Sequence, residues 1–190
     1  MGIYIVLAGA MANIIGTWTY FAGTIRGTTK PNRVSWLFWT LSTFIAAFGG
    51  LAADVGWAVV PVFVSATLCL LILIASFVNP HAYWKLGFFD YICGFFASIA
   101  LVLWAVTGEP TVAIAFAIVG DLFASLPTVA KAWEHPQTES AGTYVGGLCN
   151  GVSALLVVQT FNFASIAFPI SLIVQEVVIL FALCRRKLVP

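Results

Sequence analysis

Every lysine and arginine in this chain lies at or beyond the end of a long apolar run, and none sits near the middle of one. A charged side chain at the centre of a bilayer costs about 2.5–3.5 kcal/mol on insertion scales. The apolar runs fall at roughly 3–23, 36–53, 56–78, 88–106, 111–133, 143–161 and 164–184. Each is close to the ~20 residues that carry a helix across ~30 Å of hydrocarbon. Only 8% of the chain is charged and 62% is hydrophobic, whereas a soluble domain carries about 25% charge. That is too little charge to coat a water-facing surface. The expectation is an all-α polytopic membrane protein with seven transmembrane helices.

The joints contain breakers: Lys30-Pro31-Asn32, Asn79-Pro80-His81, Gly108-Glu109-Pro110 and His135-Pro136-Gln137. The joint around Asp54 has almost no loop, so one segment over 36–78 is the alternative there, at about twice the length of a span. With seven spans the loops alternate sides. Arg26, Lys30, Arg33, Lys85, Lys131, Arg185, Arg186 and Lys187 then share a side with the C-terminus, and the other side holds Asp54 and Glu109. The positive-inside rule places the N-terminus outside and the C-terminus in the cytoplasm, in a plasma (inner) membrane. The first residues lack a basic stretch, so no cleaved signal peptide is expected.

Cys69, Cys93, Cys149 and Cys184 lie in apolar runs without metal-ligand spacing and read as small packing residues. His81 and His135 fall in loops. The sequence offers no zinc site and no catalytic triad, so neither an enzyme nor a cofactor is expected. Retinal has no Schiff-base partner, because the last span has no lysine before Arg185. The expected partners are the lipid bilayer, a small polar solute and possible further copies of the chain, with no nucleic acid.

Sliding the chain by 108 residues lays Asn13, Thr17 and Tyr20 on Asp121, Ser125 and Thr128. Both triplets have i, i+4, i+7 spacing, which forms one stripe on a helix face. The same shift lays Trp36 on Tyr144, Ser42 on Asn150, Pro61 on Pro169 and Thr67 on Gln175. The symmetry is one of polarity rather than identity. It divides a single membrane domain into repeat one over about 1–78, a linker helix over about 79–108 and repeat two over about 109–187. An even number of spans separates equivalent helices, so the two three-helix repeats run parallel. Transporters built from parallel repeats bind solute near mid-membrane between them.

This plan resembles the SWEET sugar transporters and their PQ-loop relatives. Their motif is a Pro-Gln pair near the cytoplasmic end of the first helix of each repeat, then a short loop and a Ser-containing helix start. Leu126-Pro127-Thr128-Val129-Ala130-Lys131 followed by Thr138-Glu139-Ser140 is similar, with Thr128 in place of glutamine. In repeat one Thr19-Tyr20 stands where the pair would be, while Lys30-Pro31-Asn32-Arg33-Val34-Ser35-Trp36 keeps the style of the loop and start. The resemblance implies the fold and a solute path between repeats. Vitamin transporters of the PnuC type and KDEL-type cargo receptors are similar in plan.

The candidate site follows from polar residues at span centres. Asp121 and Glu176 are intramembrane carboxyls, each either a substrate or proton-coupling group or a hydrogen-bonding strut between helices. Asn13, Asn150 and Gln175 carry donors and acceptors for a solute, or else for neighbouring helices. Thr17 and Ser125 belong to the two stripes, Ser42 is the counterpart of Asn150 under the shift, Trp18 is a candidate to flank the pathway and Trp39 to gate it or stack on a ligand. Trp36 shares a face with Trp39, as gate or as interfacial anchor. Trp57, Trp84, Trp104 and Trp133 read as interfacial anchors. Pro61, Pro127 and Pro169 are expected to kink their helices.

A small-solute transporter working by alternating access is the leading expectation, with proton coupling as an option. A KDEL-type receptor or scaffold is the rival, and it would require a basic, solvent-facing pocket.

Overall fold

The computed structural model describes residues 2–188, apart from the side chains at 100, 104, 110 and 186–188. The expectations for Trp104, Arg186 and Lys187 therefore lie outside the described side chains. The described chain is all-α. Its helices are α1 (Gly2–Arg26), α2 (Arg33–Ala52), α3 (Val59–Val78), α4 (Phe88–Thr107), α5 (Pro110–Glu134), α6 (Ala141–Leu156) and α7 (Phe163–Leu188). Single 3₁₀ turns at Gly56–Ala58 and Pro136–Thr138 precede α3 and α6. Six of the helices are long and apolar enough to cross a membrane.

The remaining helix, α6, has only 16 residues, about 24 Å at 1.5 Å per residue. The sequence reading carried this span to 161, but the helix stops at Leu156. Asn162 is the physical reason: its Oδ1 accepts from Ser165 N and Ser165 Oγ, both at 3.0 Å, and so caps α7. The β-branched pair Val157-Val158 and the turn before Asn162 are thereby drawn out of the helix.

The joint at Asp54 is resolved as two helices. Asp54 adopts φ 53° and Gly56 φ 66°, which reverses the chain within a few residues. Aspartate tolerates this left-handed conformation better than most side chains. At the other end of α2, Asn32 Oδ1 accepts from Val34 N at 3.1 Å and Ser35 N at 3.3 Å. The Asn32 amide also donates to Asp90 in the first turn of α4, fastening the first connection to the fourth helix.

The helices bury polar side chains alongside small and aromatic ones and turn large apolar side chains outward. On α1, Asn13 and Thr17 are each 4% exposed and Tyr20 is fully buried. On the opposite face Tyr4, Leu7, Met11, Ile15 and Trp18 stand exposed at one-turn spacing. A water-soluble helix has the reverse arrangement. With lipid as solvent, burying leucine gains little and the interior is held by small residues and hydrogen bonds.

Helix α3 packs against both α1 and α2, and α7 against both α5 and α6. The two groups meet where α1 lies along α6 and α2 along α5, while α4 covers α5 and touches α2. Lys30 N donates to Thr138 O at 3.0 Å, Asn79 Nδ2 to Ile25 O at 2.7 Å and Arg185 to Trp133 O at 2.7 Å. The first, third and fifth connections and the end of α7 thus gather at one end. Ala53, Thr111 and Asn162 line a shared recess at the other.

Pro61 does not kink α3. It is the third residue of that helix, where the N–H would have no intrahelical partner in any case. Pro127 and Pro169 do lie inside α5 and α7.

Candidate functional site

Between the helix groups lies a cavity of about 60 Å³. A water needs roughly 10–15 Å³ on this measure, so the space holds a few waters or one small head group. Its walls come from α1, α2, α3, α5, α6 and α7, with Asn13, Thr17, Trp39, Asp121, Gln175 and Glu176 among the lining residues. Helix α4 contributes none of the described lining.

Two hydrogen-bonded clusters flank it. In the first, Asn13 Nδ2 of α1 donates to Ser65 Oγ of α3 at 3.0 Å, and Asn150 Nδ2 of α6 donates to the same oxygen at 2.9 Å. Asn150 Nδ2 also reaches Pro61 O at 2.7 Å, and Thr17 Oγ1 donates to Asn13 Oδ1 at 3.2 Å. In the second, Ser42 Oγ of α2 donates to Asp121 Oδ1 of α5 at 2.9 Å. Gln175 Nε2 of α7 donates to Asp121 Oδ2. Ser171 Oγ also accepts from Gln175 Nε2, at 3.2 Å. Asp121 is fully buried with both oxygens occupied.

Glu176 is placed differently. Its Oε2 is shielded from solvent and has no hydrogen-bond partner. Its Oε1 lies against Gly147 of α6, where an added Cβ would come within 2.1 Å of it.

The end of the bundle that carries the basic residues is closed by a buried ion pair. Lys131 and Glu139 are bonded with side chains 1% and 0% exposed. Lys131 also donates to Lys30 O and lies 5.2 Å from the centre of the Trp84 ring. Tyr20 OH of α1 donates to Glu139 Oε1 at 3.3 Å, and Tyr144 OH of α6 donates to Oε2. Below them Trp36 packs on Tyr20 at 5.0 Å and edge-on to Trp39 at 5.2 Å. The opposite end is apolar, filled by Ala46, Val59, Val62, Ile114 and Phe168.

Several expectations change. Trp18 does not flank the cavity: it is 65% exposed and stacks on Phe21 at 5.6 Å. Ser125 donates to Leu122 O at 2.8 Å and faces a peripheral apolar groove. Ser42 and Asn150 stand behind the wall and hold Asp121 and Ser65 in place. Thr67 bonds Phe63 O of its own helix at 2.9 Å, so Gln175 has no counterpart there. Trp36 is 2% exposed and belongs to the core rather than an interface. Trp84 packs on His135 at 5.4 Å. Lys131 belongs to the last turn of α5 and is buried rather than in a loop. Cys149 and Cys184 are exposed on the apolar exterior, whereas Cys69 lines the cavity.

Sequence reading passed over Ser65 and the Lys131–Glu139 pair. Ser65 falls on Ile173 under the 108-residue shift, so repetition could not find it. Its position one turn after Pro61, facing the same seam, was the available signal. For Glu139, the signal was an acid in a connection at the end that carries the basic residues, where Asp90 and Glu134 also lie.

No protein-family model, no curated protein and no solved structure matches the chain.

Proposed function

We propose that the chain is a small-solute membrane transporter of SWEET/PQ-loop-like plan, working by alternating access between two parallel three-helix repeats, α1–α3 and α5–α7, linked by α4. The observation that carries this reading is a central cavity to which both helix groups contribute polar side chains. The packing supports it. Exchanging α1, α2 and α3 for α5, α6 and α7 turns the α1–α6 contact into the α2–α5 contact and matches α1–α3 with α5–α7 and α2–α3 with α6–α7, while α4 breaks the symmetry by packing on α5 and α2. The clusters follow the same exchange: Asn13 stands for Asp121 and Asn150 for Ser42, while Ser65 and Gln175 supply the third member from α3 and α7.

The cavity is shut at one end by the Lys131–Glu139–Tyr20–Tyr144 lock and at the other by apolar packing. In this reading the structure is an occluded state, and the solute enters when one end separates. The positive-inside rule makes the lock cytoplasmic. Glu176, not Asp121, is the better candidate for coupling, since both Asp121 oxygens are engaged. A cargo receptor has less support, because no Lys or Arg is among the described cavity lining.

Reconstituted protein tests this directly. A solute that stabilises it in a thermal-shift screen should also undergo counterflow in proteoliposomes. Specific binding without counterflow would favour the receptor.

A further inference from the structure

The described lining of the cavity contains two acids, Asp121 and Glu176, and no Lys, Arg or His. The two carboxyls are not equivalent. Asp121 has a donor on each oxygen, whereas Glu176 Oε2 is inaccessible to solvent and unpartnered. Buried polar atoms are rarely left so unless a water, ion or ligand completes them. Helix α6 offers no side chain at the point of contact: any residue larger than glycine at Gly147 would meet Glu176 Oε1. Trp36, Trp39 and Tyr144 line the same space, and the faces of such rings attract cations. A space of about 60 Å³ admits one small charged head.

We propose that this cavity binds a nitrogen cation carrying N–H donors, an ammonium or guanidinium head, with the Glu176 carboxylate as its counter-ion and the aromatic side chains among its walls. The inference rests on the transporter reading for the passage of that cation through the membrane, and on the cavity alone for its binding. A neutral polyol could donate to the carboxyl oxygen but would not match a charge on it. A cation with N–H donors satisfies the charge and the empty acceptor together.

The test uses the purified full chain and millimolar guanidinium chloride and methylammonium chloride, with urea as the neutral isostere of guanidinium and sodium chloride as the ionic control. The expected result is a saturable rise in melting temperature with either cation and none with urea or sodium chloride. Glu176→Gln should remove that rise and leave the ligand-free melting temperature equal or higher, because it deletes a buried unpaired carboxyl. Gly147→Ala keeps the charge but displaces the carboxyl, so it should weaken cation binding at least tenfold. It serves as the second variant should Glu176→Gln fail to fold. Equal shifts in wild type and both variants, or none in wild type, would overturn the proposal. Labelled guanidinium counterflow separates the two readings. Glu176-dependent binding without counterflow keeps the site and refutes transport; counterflow of neutral solutes with no cation binding refutes the site and keeps transport.

Discussion

Asn13 and Asp121, which the 108-residue shift lays on each other, engage their neighbours differently. Asn13 donates to Ser65, while Asp121 accepts from Ser42 and Gln175. Asp121→Asn puts an NH₂ where one of two donors pointed, and should lower stability by about 1–3 kcal/mol. Thermal unfolding reads this, and proton-driven accumulation is measured on the same protein. Unchanged stability with accumulation abolished would restore the coupling role to Asp121. A paired test concerns α3. Ser65→Ala leaves the Asn13 amide without its acceptor and Asn150 with only the Pro61 carbonyl, a loss of about 1–3 kcal/mol. Thr67→Val, at a hydroxyl bonded only within its own helix, should change stability by no more than about 0.5 kcal/mol. Equal effects would remove the Asn13–Ser65–Asn150 cluster from the account.

At the scale of elements, the closest approach is between α1 and α6. A Cβ at Gly16 would lie 2.1 Å from Gly142 O, which is backbone and cannot step aside. Gly16→Ala must therefore separate the two helices and should cost about 1–3 kcal/mol or more, read as a lowered melting temperature in detergent. A neutral result would mean that the helices do not meet there. Helix positions were legible because apolar length and breakers are local properties of the chain. The end of α6 was not, since it depends on the Asn162 cap competing with an apolar run that reads as continuous helix. The central polar residues Asn13, Asp121 and Gln175 were legible for a related reason: a polar group inside an apolar run stands out. Whether a stripe residue turned inward was not. Trp18 and Ser125 lie beside inward-facing neighbours, and less than one turn of rotation separates lining the cavity from facing lipid.

The whole molecule is locked at its basic end by one buried pair. Glu139→Gln leaves Lys131 buried without its counter-ion, which costs about 3–5 kcal/mol where a pair is fully desolvated. The account expects the variant to be less stable and more open to solvent at that end, seen as faster hydrogen exchange around residues 20, 131 and 144. Unchanged exchange there would mean that the pair does not hold the end shut. This closure was hidden from sequence because it joins residues from α1, α5 and the start of α6, which only the packing of the two helix groups brings together.

Cys69 offers the most direct measurement of the central claim, since it lines the cavity. With Cys93, Cys149 and Cys184 replaced, a small membrane-impermeant thiol reagent is applied to sealed vesicles of each orientation. Alternating access predicts that Cys69 reacts from both sides, and that a bound cation slows both reactions. Reaction from one side alone, or from neither under conditions where solute moves, would contradict it.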